Sequence, residues 1–145
     1  VKAYTDKRAT IGTITGTGIN ENVAGKVELT VATAVTNAEK NQKLEDFIFN
    51  KAKLLCDADG RGVSRSCPHK KSVEAIDLPS GLPGYVLTLV QEDRTLFPEA
   101  TTTESDVTFY AVNIGTEAKR TVLILNTLED GDDALTRDVA LSVKK

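Results

Sequence analysis

Sixteen residues, "CDADGRGVSRSCPHKK" at 56–71, hold both cysteines of the chain, its single histidine and its densest basic cluster. Soft-ligand or nucleophile chemistry, if there is any, belongs here. Cys56, Cys67 and His69, with Asp57 or Asp59, could offer ligands to zinc. Structural zinc sites, however, bring two close ligand pairs, and Cys-x10-Cys-x-His supplies one, amid lysines and arginines that oppose a divalent ion. "DADGRG" opens like a calcium loop, but Arg61 stands at the position of the third oxygen and Pro68 at that of the closing glutamate. No metal and no cofactor is expected.

Cys67 and His69 are two residues apart, so an extended segment would point both to one side, as a thiol nucleophile and its base require. That possibility ends if Cys67 is oxidised. The chain has no G-x-S-x-G motif, and Glu45-Asp46, Glu92-Asp93 and Asp132-Asp133 are neighbours in sequence that read as solvated surface. The expectation is a protein that is not an enzyme, a His69-dependent or thiol enzyme being the residual route.

Phosphate binding is weakly signalled. In "GTITGTGINENVAG", Glu21 stands where the last glycine of a dinucleotide fingerprint belongs, and no helix follows. Arg61, Arg65, His69, Lys70 and Lys71 could meet a phosphate backbone or an anionic protein, but no aromatic side chain is interleaved to stack on bases. The plainer reading of the segment is a disulfide. Cys56 ends a predicted helix and Cys67 precedes a predicted strand, and closing a loop of that length stabilises a fold by about 3 kcal/mol. A Cys56 or Cys67 link between subunits is the variant. Either implies an oxidising setting, hence an extracellular, virion or cell-surface location.

The elements that must position this segment are legible from periodicity. "KVELTVATAV" alternates Val27, Leu29, Val31 and Val35 with Lys26, Glu28 and Thr30, a half-buried strand. Thr36 and Glu39 form a capping box ahead of "AEKNQKLEDFIFNKAKLL", which lacks glycine and proline. On that helix Leu44, Phe47, Ile48, Ala52, Leu54 and Leu55 fall within an arc of about 160°, wide enough to seat it on a sheet. Phe49 falls on the polar side and marks a second surface.

Downstream, "KSVEAIDL" is a strand, "PSGLPG" a turn, and "YVLTLV", apolar on both faces, a central strand. "QEDRTLFPEATTTESD" is expected as a long exposed loop. "VTFYAVNI", "RTVLILNTL" and "ALTRDVALSVK" follow as three strands in two hairpins, the second turning at Asp130-Gly131. The first twenty residues, rich in threonine and glycine, suggest a loose strand from Arg8 to Thr15 in a mobile or exchanged arm. The predicted fold is α+β: one domain over 1–145, with an antiparallel sheet of six or seven strands and one long helix on a face. A β-sandwich with an inserted helix is the alternative.

The 145 residues carry a formal charge of -3 and no apolar run of membrane-spanning length. Charge is uneven along the chain. Residues 51–72 hold six bases against two acids, net +4, and residues 91–145 eleven acids against six bases, net -5. Together these features suggest a non-enzymatic structural subunit that assembles with copies of itself, such as a virus coat or decoration protein or a pilus-type fibre subunit. Its N-terminal arm would exchange strands, and the basic loop would meet an acidic neighbour. The alternative is a monomeric secreted binding module (effector, inhibitor or adhesin) that uses the 56–71 loop. The third is a nucleic-acid-contacting protein using the same loop.

Overall fold

The computed structural model describes residues 2–4, 10–13, 20–23, 27–56, 58–60, 63–95, 99–116, 119–127 and 132–144. The chain runs β1 (Lys2–Tyr4), β2 (Thr10–Thr13), β3 (Asn20–Val23), β4 (Val27–Thr33), α1 (Asn37–Asn41), α2 (Leu44–Cys56) and β5 (Ala58–Gly60). It continues with β6 (Val63–Asp77), β7 (Pro83–Thr95), β8 (Thr101–Asn113), β9 (Thr121–Thr127) and α3 (Asp133–Leu141). Five strands of seven residues or more form one antiparallel sheet in the order β4-β9-β8-β7-β6. The short β3 and β5 flank its two ends, and β1 pairs separately with β2.

β6 to β9 form a meander, each strand pairing with the next. β4 pairs with β9 from Val27 opposite Thr127 to Thr33 opposite Thr121, at the far side of the sheet from β6. The segment between β4 and β6 must therefore cross the sheet, and α1 and α2 make that crossing. One face of the sheet buries Val27, Leu29, Val31, Tyr110, Val112, Leu123 and Leu125 with Val139, Ala140 and Val143 from the α3 segment. The opposite face buries Leu87, Leu89, Phe109, Ala111, Val122 and Ile124 under Phe47, Ile48 and Ala52 of α2.

This corrects the expected fold. In place of six or seven strands with one long helix, five long strands carry the sheet with three short helices. Among the described residues helices pack on both faces of this sheet, in place of the second large sheet that the sandwich alternative requires. Three local causes account for the difference. First, the predicted helix is interrupted. The capping box forms as expected, Thr36 Oγ1 accepting from the Glu39 amide at 3.1 Å and Glu39 Oε1 from the Thr36 amide at 3.2 Å. But buried Arg120 donates from Nη1 to the carbonyls of Glu39, at 3.2 Å, and Gln42. A continuous helix would give the Glu39 carbonyl to Lys43; here Gln42 is extended and α2 starts afresh at Leu44.

Second, "ALTRDVALSVK" is a helix. Asp132 caps it, accepting from the Leu135 amide at 2.7 Å, so the acids read as a hairpin turn serve a helix start instead. Asp130 and Gly131 themselves lie outside the described residues. Val139 and Val143 are buried four residues apart and Arg137 is exposed, whereas a strand would align Arg137 with Leu135 and Val139. Third, much of the expected loop at 91–106 is strand: β7 and β8 stay in register from Gln91 opposite Ser105 to Thr95 opposite Thr101.

Elsewhere the expected elements hold. β4 and the central "YVLTLV" of β7 are strands, and Gly81 supplies the φ of 80° that the "PSGLPG" turn requires. Leu54 departs from its predicted stripe and is 66 % exposed; Val35, beyond the end of β4, is 73 % exposed. The arm reading for residues 1–20 falls largely outside the described residues.

Two outcomes test this account. Asp132→Ala should destabilise the protein by about 1 kcal/mol in urea titration, because α3 loses its cap. The Lys51 ammonium, 2.6 Å from Glu39, and the Thr36 amide hold the Glu39 carboxyl at about 2 against an ordinary 4.5. A lowered folded value means this contribution is complete above pH 4.5 and is lost as pH falls from there toward 2. Lys51→Met should therefore narrow the gap between urea midpoints measured at pH 6 and pH 3.

Candidate functional site

The 56–71 segment is not a free loop. After the three residues of β5, the chain enters β6, so Cys67, His69, Lys70 and Lys71 are strand residues on the outermost long strand. Cys56, the last residue of α2, is bonded to Cys67, with Cα atoms 5.9 Å apart. Both cysteines are buried in the cluster beneath α2. The bond pins the end of the crossing helix to β6. It also leaves no thiol on Cys67, which removes the Cys67–His69 nucleophile arrangement and the thiolate ligands of the zinc arrangement. Among the described residues no three of His, Cys, Asp and Glu are grouped to hold a metal.

The basic residues meet acids from distant parts of the chain. Arg65 Nε lies 2.8 Å from Asp93 Oδ1, across the β6–β7 pairing that sets the two residues opposite each other. This hydrogen bond, with a weaker one from Gln91, holds the Asp93 carboxyl below the usual carboxylate range. Lys71 Nζ lies 2.8 Å from Asp106 of β8, and Lys70 Nζ is 3.8 Å from Asp46 of α2. Lys70 also sits 5.9 Å from the centre of the Phe49 ring, within range of a cation–π contact. His69 is exposed opposite Val90, and Arg61 lies outside the described residues.

Of the predicted contact residues, then, the fold gathers Arg65, His69, Lys70, Lys71 and Phe49 along β6 and the adjacent flank of α2. Phe49, predicted on the polar side of its helix, is half-buried and packs against the cluster under α2. Arg65, Lys70 and Lys71 are each matched by a carboxylate, so part of the local excess of positive charge in the sequence is countered in space.

Two polar pairs that sequence reasoning missed organise the other face. The Tyr110 hydroxyl donates to Asp133 Oδ2 at 2.9 Å, and burial raises its pKa first, with Asp133 adding to the effect. The Thr127 and Thr136 hydroxyls, 2.6 Å apart, join β9 to α3. Neither pair leaves a sequence signal until α3 is recognised as a helix.

In comparisons with known proteins, no family model, curated protein or solved structure matches the chain. No described helix is long and apolar enough to cross a membrane.

Because both sulfurs are buried, reductant alone should leave the Cys56–Cys67 bond largely intact until denaturant opens the fold, as timed alkylation would show. The double variant Cys56→Ala with Cys67→Ala should lose about 3 kcal/mol in urea titration, the loop-closure value for a link of this span.

Proposed function

We propose that this chain is a non-enzymatic structural subunit that assembles with copies of itself, in the manner of a virus coat or decoration protein or a fibre subunit. The observation that carries the proposal is a strand extension with no core of its own. β7 and β8 continue in register past Leu89 and Val107, yet none of the described residues between 91 and 106 is buried. Thr101 to Asp106 of β8 are exposed throughout. Ordered strands with no fully buried residue within the subunit gain stability and use when a neighbour covers them. The β1–β2 pair stands apart from the main sheet. A disulfide suits a particle or fibre surface in an oxidising setting. The paired state of Arg65, Lys70 and Lys71 weighs against the nucleic-acid alternative, because phosphates would have to displace three carboxylates.

Sedimentation of the purified protein at neutral pH should show a discrete particle or fibre many times heavier than the 15.6 kDa chain. Deleting residues 1–18 should reduce that assembly while leaving the disulfide and the urea midpoint unchanged. A monomer at every accessible concentration would overturn the proposal in favour of the binding module. Unchanged assembly in the deletion would remove the N-terminal arm from it.

A further inference from the structure

Resting on that self-assembling reading, we infer that the outer edge of β6, from Ser66 to Asp77, is where two copies of the chain pair, antiparallel and about a two-fold axis. β5 covers β6 only from Val63 to Arg65. Beyond that, no described residue pairs with β6 on its outer side, so among the described residues the outward peptide groups of this edge have no strand partner. An edge of this kind is a template for another strand.

Its two halves differ. The first carries Pro68, Lys70 and Lys71 and two register shifts against β7, between Ser66 and His69 and between Lys70 and Ser72. Proline, lysine and bulges discourage indiscriminate strand addition. The second half, Ser72 to Asp77, is in unbroken register with Thr88 to Pro83, contains no proline or glycine, and carries Val73 and Ile76. One half is guarded and the other is open.

Charge selects the occupant. Along the edge, Lys70 and Lys71, each beside a carboxylate of its own subunit, come first and Glu74 and Asp77 follow. An antiparallel copy of the same strand lays its acidic half over the basic half, twice per dimer. The strand is its own complement, as a two-fold interface requires. Side-chain direction agrees. Lys71 reaches Asp106, which pairs with Val90, and Glu74 pairs with Val86. Val86 and Val90 are four residues apart on β7 and so share a face, and that face is the α3 side, because Val86 lies opposite Tyr110. A register centred between Ser72 and Val73 therefore sets Lys71 of each copy against Glu74 of the other on one face. Glu74 and Asp77 are exposed, and among the described residues neither has an ion pair within the subunit.

A charge-swap experiment tests this. Glu74→Lys and Lys71→Glu are made separately in the full chain, and their folding is checked by the intact disulfide and the urea midpoint. Each variant alone sets like charges together twice per dimer and should self-associate about tenfold more weakly or worse by sedimentation equilibrium. Mixed in equal amounts, with one isotope-labelled, they restore opposite charges at both contacts, and native mass spectrometry should find heterodimers in excess over either homodimer. If wild type assembles and both variants assemble equally well, the edge is not the contact and self-assembly stands. Weak variants whose mixture does not recover would overturn the antiparallel register. A wild-type monomer would overturn this inference together with the reading beneath it.

Discussion

Val122, Leu123, Ile124 and Leu125 of β9 are consecutive, and none has exposed surface. Successive strand residues point to opposite faces, so this run cannot be satisfied by covering one side of a sheet. It needs a layer above and a layer below, and the rest of the architecture answers that need. α2 crosses one face on the way from β4 to β6, and α3 folds back onto the other directly after β9. The polar contacts serve the same end. Arg120, just ahead of β9, holds the α1–α2 junction, and Thr127, at its end, holds α3. The disulfide fixes the far end of the crossing layer to β6.

Away from β9 the demand fades, and the sheet becomes a ladder of hydrogen bonds dressed with charge. Arg65, Lys70 and Lys71 meet Asp93, Asp46 and Asp106, one acid from each of three other elements. Exposed ion pairs of this kind add little stability individually. Their effect is on which surfaces can approach one another. They quench a positive patch that would attract polyanions without discrimination, and they leave Glu74 and Asp77 on the open part of the edge with charge to offer.

How far the sequence spoke depended on burial. Where one or both faces of a strand are buried, as in β4 and "YVLTLV", hydrophobic period alone located it. The stretch from Gln91 to Asp106 has no buried face, so its polar composition resembled a loop; the threonines at 101–103 were the remaining strand signal. In the last element, Leu135, Val139, Leu141 and Val143 suit period two if Arg137 is overlooked, while Leu135, Val139 and Val143 suit a helix with Arg137 outside. The "VLIL" run was the clue that could have decided it, because a single helix cannot roof both sides of a sheet. Of the contact residues, the cysteine pair was legible from spacing. The carboxylates that answer Arg65, Lys70 and Lys71 were not, since they lie at distant positions that only the strand register and the seating of α2 on the sheet bring near.

The β4–β9 ladder joins residues 27–33 to residues 121–127, so β4 takes its place beside a strand that follows α2, β6, β7 and β8 in the chain. Until β9 is in place, β4 has no link to β6, β7 and β8, and α2 lies over an unfinished floor. Contacts this distant in sequence form late and slowly. Closure of the sheet is thereby a late step of folding, one that the nearer pairings of β6 with β7 and β7 with β8 can precede.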